Sequence, residues 1–201
     1  MRIIVVGATG AVGKAAIDAL APRHEIIAVG RNSGDLQVDI EDLDSLRTMY
    51  RNVGKVDAVV STIGQAHFGA VDEMSSEQFM QGINHKLLPQ VNLVLEGFDY
   101  VNDGGSFTLT SGVLNRDPIR GGSAAAAANG ALDGFVFGAS VEMPRGIRIN
   151  SVSPEVLEVS RERFDGFFRG HHHVSDEAVG LAYSKAVEGC LTGQVFTVDI
   201  G

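Results

Sequence analysis

Near the start of the chain the run Gly7-Ala8-Thr9-Gly10-Ala11-Val12-Gly13 follows the apolar stretch Ile3-Ile4-Val5-Val6 and opens a stretch in which Val12, Ala15, Ala16, Ala19 and Leu20 recur at helical spacing. A glycine at the first position permits a tight turn, one at the second lets backbone approach a bulky anion, and one at the third lets the helix pack closely. The unpaired N–H groups and positive dipole end of the helix that begins there suit a phosphate. Strand, glycine turn and helix in that order point to a dinucleotide, with Gly7, Thr9, Gly10, Ala11, Val12 and Gly13 as its cradle.

The end of the second apolar run decides which dinucleotide. An acidic residue there would bond the adenine ribose of NAD and repel a 2′-phosphate. This chain has Gly30-Arg31-Asn32-Ser33 instead. Arg31 offers a forked cation that suits a phosphate, and Asn32 and Ser33 add hydrogen-bond donors. The pattern favours NADP and leaves NAD open.

These residues need a scaffold that alternates strands with helices. Short runs rich in Val and Ile predict strands over residues 2–6, 25–30, 36–40, 57–61, 106–110, 148–153 and 195–199. Helical spacing recurs in Leu43/Leu46/Tyr50, in Leu87/Leu88/Val91/Leu95, from Ala124 to Glu142, and in Ala178/Leu181/Ala182/Lys185. The five consecutive alanines from Ala124 to Ala128 belong to one of these helices, where small side chains allow close approach. The expectation is a doubly wound α/β Rossmann fold with a parallel sheet of about seven strands. Neither a linker nor an internal repeat divides residues 1–201, so one dinucleotide-binding domain is expected.

A formal net charge of −9 leaves no broad basic field, which argues against nucleic acid and anionic membrane surfaces as partners. Small molecules or further copies of the chain remain. Cys190 is the single cysteine, which excludes an internal disulfide and reads as a buried or inert thiol. The apolar start is too short for a signal segment and no run reaches the ~18 apolar residues of a membrane span, so a cytoplasmic location is expected.

Taken together, several segments resemble the short-chain dehydrogenases over essentially the whole chain. They are the glycine turn, Val38-Asp39-Ile40, Ser61-Thr62-Ile63-Gly64, Asn84-His85-Lys86, Thr110-Ser111-Gly112, Gly130 to Phe135, Gly146 to Pro154, and Thr192-Gly193-Gln194-Val195 with Val198-Asp199. The resemblance implies that Asp39 and Ile40 flank the adenine and that Ser61, Thr62, Ile63 and Gly64 line the ribose and nicotinamide side. Pro154 is counted with the cofactor site on the same ground. The turn departs from the family's commonest form, because Ala11 stands where a glycine is expected.

The catalytic pattern departs further. The family's YxxxK pair lies just ahead of the A-L-x-G-F run, and counting back from Leu132 puts Ala125 at the Tyr position and Asn129 at the Lys position. That Tyr acts as general acid toward the carbonyl oxygen, a role alanine cannot fill. Asn129 could still bond the nicotinamide ribose. Ser111 resembles the substrate-orienting Ser, although counting back from Asn129 favours Gly112 there. Asn84 resembles the helix Asn that supports a proton-relay water, and a plain structural amide fits it equally. None of Tyr50, Tyr100 and Tyr183 falls at the C-terminal edge of a predicted strand; His85 is a somewhat better proton donor because an imidazole titrates near neutrality, but as the helix neighbour of Asn84 it faces another way.

After Pro154 the chain has Glu155 where the family usually has glycine, and a short flap follows near residues 155–175. Phe164, Phe167 and Phe168 alternate there with Arg161, Arg163 and Arg169, as an apolar lid or a short core-covering helix would. His171-His172-His173 reads as a solvent-facing turn, since consecutive residues do not all reach one ion, so no metal site is expected. The expected function is an NADP-dependent oxidoreductase acting on a carbonyl or alcohol. The alternative is a degenerate NADP-binding protein without turnover, a sensor or partner subunit. A homodimer or homotetramer is expected.

Overall fold

The computed structural model describes residues 1–164 and 166–199, which leaves Asp165 of the expected flap and the last two residues of the expected domain outside the described residues. Seven parallel strands form one sheet in the order β3-β2-β1-β4-β5-β6-β9. They are β1 (Arg2–Val6), β2 (Glu25–Gly30), β3 (Leu36–Gln37), β4 (Val56–Ser61), β5 (Val101–Thr110), β6 (Arg148–Pro154) and β9 (Val195–Val198). Two short strands, β7 (Val156–Leu157) and β8 (His173–Val174), pair separately. The helices are α1 (Ala11–Leu20), α2 (Leu43–Val53), α3 (Ser76–Gly82), α4 (Leu88–Gly97), α5 (Ser123–Ser140) and α6 (Asp176–Glu188). The sequence-based fold class holds.

Successive residues of a strand face opposite sides of a sheet, and both sides must be covered when crossovers are helical. On β1, Ile4 and Val6 enter a core with Leu46 and Tyr50 of α2, Leu93 of α4 and Leu132 of α5. Ile3 and Val5 enter the opposite core with Ala16 and Leu20 of α1 and Val179 and Tyr183 of α6. This double burial explains why β1 is apolar throughout. The strand order reverses between β1 and β4, and ligands of open α/β sheets sit beyond the C-terminal ends of strands at such a point.

Three elements differ from expectation. Strand β5 begins at Val101, because Asn102-Asp103-Gly104-Gly105, which reads as a turn, forms a bulge where the β4–β5 register shifts. Strand β3 ends at Gln37, after which Val38 and Ile40 turn inward and are buried. Between α3 and α4 the segment Ile83–Leu87 is a turn of π-helix. Its extra residue changes the helical phase, so Leu88 and Leu95 stand exposed at 44% and 56% while Gln90, Leu93 and Val94 face the core.

Candidate active site

Beyond the C-terminal ends of β1 and β4 lies a cavity of about 310 Å³ lined by Gly7, Thr9, Gly10, Arg31, Ile40, Thr62, Ile63 and Gly64, among others. The turn is too tight for a side chain at Gly7 and Gly13. Gly7 has a φ of +83°, and a Cβ on it would sit 2.7 Å from Thr62 Oγ1, while one on Gly13 would sit 2.2 Å from the Gly7 carbonyl oxygen. Helix α1 starts at Ala11 with Gly10 as its N-cap, no side-chain cap and no acidic residue in its first turn. Its positive end is therefore uncompensated and faces the turn. Thr62 locks β4 to β1, its N–H and Oγ1 both donating to the Val6 carbonyl at 2.8 and 2.9 Å.

Arg31 stands on the rim of this cavity, paired with Asp39 at 3.1 Å and Glu41 at 2.9 Å. The hydrogen bond to Asp39, then its charge and that of Glu41, hold the guanidinium above its usual range. Asp39 thus braces Arg31 and does not line the cavity, where Ile40 and Glu41 do. Asn32 and Ser33 are exposed beside Arg31, with the Asn32 carbonyl accepting from Gln37 at 3.2 Å. His85, the other proton donor considered, lines this same cavity with Nδ1 3.0 Å from Glu41. Ser61 is corrected: it is fully buried in the sheet, its carbonyl accepting from Thr110 Oγ1 at 2.5 Å, and it lines neither cavity.

Gly64 also borders a second cavity of about 210 Å³, lined by Val12, Lys86, Ser111, Ala125, Asn129 and Pro154 together with flap residues. Here Ser111 is buried, its Oγ 3.0 Å from Ser151 Oγ, which donates to Asp133 Oδ1 at 2.9 Å. Asn129 donates from Nδ2 to the Gly112 carbonyl at 3.2 Å, while its buried Oδ1 has no partner among the described residues. A buried acceptor left unpaired costs roughly 1–3 kcal/mol, which a bound hydroxyl would recover.

Lys86, not Asn84, enters this cavity. The π-turn leaves Asn84 exposed and lining neither cavity, while Lys86 Nζ donates to the Ser111 carbonyl at 2.5 Å. Burial pushes the Lys86 amine down to about 8, with Asp133 opposing the shift. Tyr183 does reach the end of a strand, its Oη 2.5 Å from Thr110 Oγ1, but it comes from α6 beneath the sheet and is fully buried.

The flap closes the second cavity. Phe164 and Phe168 line it, with Phe68 packed on Phe164 at 6.4 Å between ring centroids. Among the described residues the segment holds two short 3-10 turns, Glu158–Ser160 and Glu162–Phe164. The histidine triplet is corrected in part: His172 is exposed, but the His171 side chain is only 7% exposed, drawn inward by Glu155 at 3.1 Å and packed against Phe168. Asp117, Glu155 and His171 bring their ligand-type atoms within 4.8 Å of one another, which spacing within the triplet could not reveal. Cys190, between α6 and β9, is exposed and so is not a buried thiol.

The family model described as enoyl-(acyl carrier protein) reductase matches residues 3–179. The chain belongs to the short-chain dehydrogenase/reductase family of oxidoreductases. It is 32% identical over 69% of its length to the short-chain dehydrogenase/reductase ATR9 of Stachybotrys chlorohalonatus, covering 55% of that protein. It is 26% identical over 64% of its length to the hydroxynaphthalene reductase arp2 of Aspergillus fumigatus, covering 49% of it. The matched stretch thus spans about half of each of these relatives. Among solved structures, protein lin1944 of Listeria innocua is 47% identical with a TM-score of 0.96, over 98% of this chain and 99% of that one. A small-chain dehydrogenase in complex with NADPH is 24% identical with a TM-score of 0.86, over 99% of this chain and 96% of that one.

In this short-chain dehydrogenase/reductase the residues present fit a nicotinamide dinucleotide. Gly7 and Gly13 leave room only for hydrogens, the α1 terminus offers uncapped amides, and Asn129 Oδ1 is unpaired among the described residues in the second cavity. The position the resemblance assigns to the family's Tyr is Ala125, which lies in the cavity wall. Lys86 escaped the sequence reading because nothing in the spacing of residues 83–87 marks a π-turn. Among the described residues no helix is long and apolar enough to cross a membrane.

Proposed function

We propose that this chain binds NADPH across the two cavities that meet at Gly64 and reduces a small carbonyl compound held under the flap. The observation that carries the reading is this continuity. One cavity has the phosphate-type cradle and Arg31, the other has Ser111, Lys86 and Asn129 around a mostly apolar space, and Gly64 lines both. The NADPH complex of the similarly folded small-chain dehydrogenase supports the choice of cofactor. Bound there, the reduced nicotinamide would supply a hydride to the carbonyl carbon.

The chain's own residues divide the remaining work. Gly7, Thr9, Gly10, Ala11, Val12 and Gly13 hold the pyrophosphate, Arg31 with Asn32 and Ser33 meets the 2′-phosphate, and Ile40 packs against the adenine. Thr62, Ile63 and Gly64 border the ribose, Asn129 bonds it through Oδ1, and Pro154 closes the nicotinamide side. Ser111 forms the floor of the pocket, and Phe164 and Phe168 exclude water. Glu41 favours a second use of the same site by NAD, because a carboxylate there accepts from a free 2′-hydroxyl.

Self-association belongs to the same proposal, through the apolar side chains Leu88 and Leu95 of α4 and Phe137 of α5, exposed at 44%, 56% and 72%. A cytoplasmic location also belongs to it, supported by the lone cysteine. The test is calorimetry with NADPH and NADH, followed by cofactor oxidation across aldehydes, ketones, quinones and enones. NADPH binding with turnover of one class is expected. Binding without any turnover would leave the degenerate NADP-binding alternative, and failure to bind either nucleotide at millimolar levels would sink the reading.

A further inference from the structure

We propose that Lys86 protonates the substrate oxygen, from within the space that alanine at position 125 leaves open. The inference rests on the proposed reduction of a carbonyl in the second cavity. Lys86 and Ala125 line the same cavity, together with Ser111 and Asn129. The lysine is carried there by the π-turn Ile83–Leu87, an irregularity that occurs frequently at functional sites. Its stem crosses Gly64 so closely that a Cβ on that residue would lie 2.8 Å from Lys86 Cδ. A glycine therefore keeps the path of the side chain clear.

An ammonium has three N–H donors. The Ser111 carbonyl takes one, at 2.5 Å, and among the described residues no carboxylate pairs with the charge. Two donors remain for the cavity. Among the described residues, the charged groups near it are Asp133 on α5, engaged by Asn115 and Ser151, and Glu155 after β6, engaged by His171. His85, its neighbour in the π-turn, is turned to Glu41. Burial holds the amine near 8, where it is mostly protonated at neutral pH yet gives up a proton readily.

In the step, a hydride from reduced nicotinamide forms the new C–H bond and the carbonyl π bond breaks. Its electrons move to oxygen, which takes a proton from Lys86 Nζ. The products are an alcohol, oxidised nicotinamide and a neutral amine that regains its proton from solvent. The substrate oxygen then touches Nζ, which makes Lys86 a catalytic residue and not only the brace of the Ser111 strand end.

Lys86→Met and Lys86→Arg separate these roles. Arginine keeps a cation and a donor for the Ser111 carbonyl but does not release a proton in this range. The experiment measures NADPH affinity by calorimetry, turnover of the best carbonyl substrate against pH, and the Lys86 titration by NMR of protein labelled with ¹³C-lysine, assigned by its loss in Lys86→Met. The expected result is titration near 8, kcat lowered about 100-fold or more in both variants, and NADPH affinity within about threefold of the parent. Turnover of the parent should fall as pH rises through the amine's titration. Normal activity in Lys86→Arg, or an amine titrating at its ordinary ~10.4, overturns the proposal. NADPH binding without turnover overturns it while leaving the dinucleotide site intact. Absence of NADPH binding removes the functional reading itself.

Discussion

The guanidinium of Arg31 lies 2.9 Å from the carboxylate of Glu41 at the mouth of the nucleotide cavity. A 2′-phosphate arriving there has to draw Arg31 away from Glu41 and Asp39. Exposed ion pairs of this kind contribute only about 0–1 kcal/mol, so a doubly charged phosphate competes effectively. Replacing Glu41 with Gln should strengthen NADPH binding about three- to tenfold over NADH, and Arg31→Ala should weaken NADPH about tenfold while NADH changes little. Calorimetric titration of both variants with both nucleotides checks this. An unchanged preference in Arg31→Ala would remove Arg31 from the selection of cofactor.

A methyl group on Gly13 would fall 2.2 Å from the Gly7 carbonyl oxygen. Gly13→Ala must therefore push α1 away from the turn. We expect a loss of about 1–3 kcal/mol in urea unfolding, and NADPH binding weakened at least tenfold because the amides no longer converge. Wild-type affinity in this variant would contradict the assigned cradle.

Tyr183→Phe removes the hydroxyl that meets Thr110, but Thr110 Oγ1 still has the Ser61 carbonyl as its acceptor. The expected cost is about 0.5–1.5 kcal/mol in thermal or urea unfolding, with turnover unaffected. A large loss of kcat at unchanged stability would show that the buried tyrosine takes part in the chemistry.

Burial disfavours the Lys86 ammonium, so its folded-state value of about 8 lies below that of the unfolded chain. At pH below both values the folded state carries the full penalty. As pH rises from about 8 to about 10.4 the folded amine loses its proton first and the penalty is relieved. The stability of the wild type relative to Lys86→Met should therefore increase between pH 7 and pH 10. Parallel urea curves with no such divergence would show that the amine is well solvated.

Leu95 and Phe137 are exposed at 56% and 72%. Light scattering should give a dimer or larger assembly for the wild type and a monomer for Leu95→Glu combined with Phe137→Glu. A monomeric wild type at micromolar concentration would remove self-association from the proposed function.

The strand, glycine turn and helix at the start of the chain were legible because they are local. A strand buried on both faces, a glycine turn and a helix lie within residues 2–20, and at Gly7 and Gly13 a side chain does not fit. The second cavity was less so, because it is assembled from distant segments. Asn84 was singled out by its resemblance to the family's helix Asn, and the π-turn brings Lys86 into the cavity. The same shift put Leu88 and Leu95 on the outside. Periodicity could not show that Glu155 would draw His171 inward, or that Asp39 would brace Arg31, since each pairing depends on where loops meet. Ser61 looked like a lining residue because it starts the Ser-Thr-Ile-Gly run, yet it is the last residue of β4 and lies within the sheet.

The small β7–β8 ladder pins Val156 to His173 and Leu157 to Val174, so the two ends of the flap are fastened together whatever lies between them. Lengthening a loop whose ends are already fixed costs little, about 0.6 kcal/mol for each doubling. Residues 158–172 form, in effect, an exchangeable cassette. A change in its length or its aromatic content would redraw the space offered to a substrate while the cofactor half, built on the opposite side of Gly64, keeps its shape.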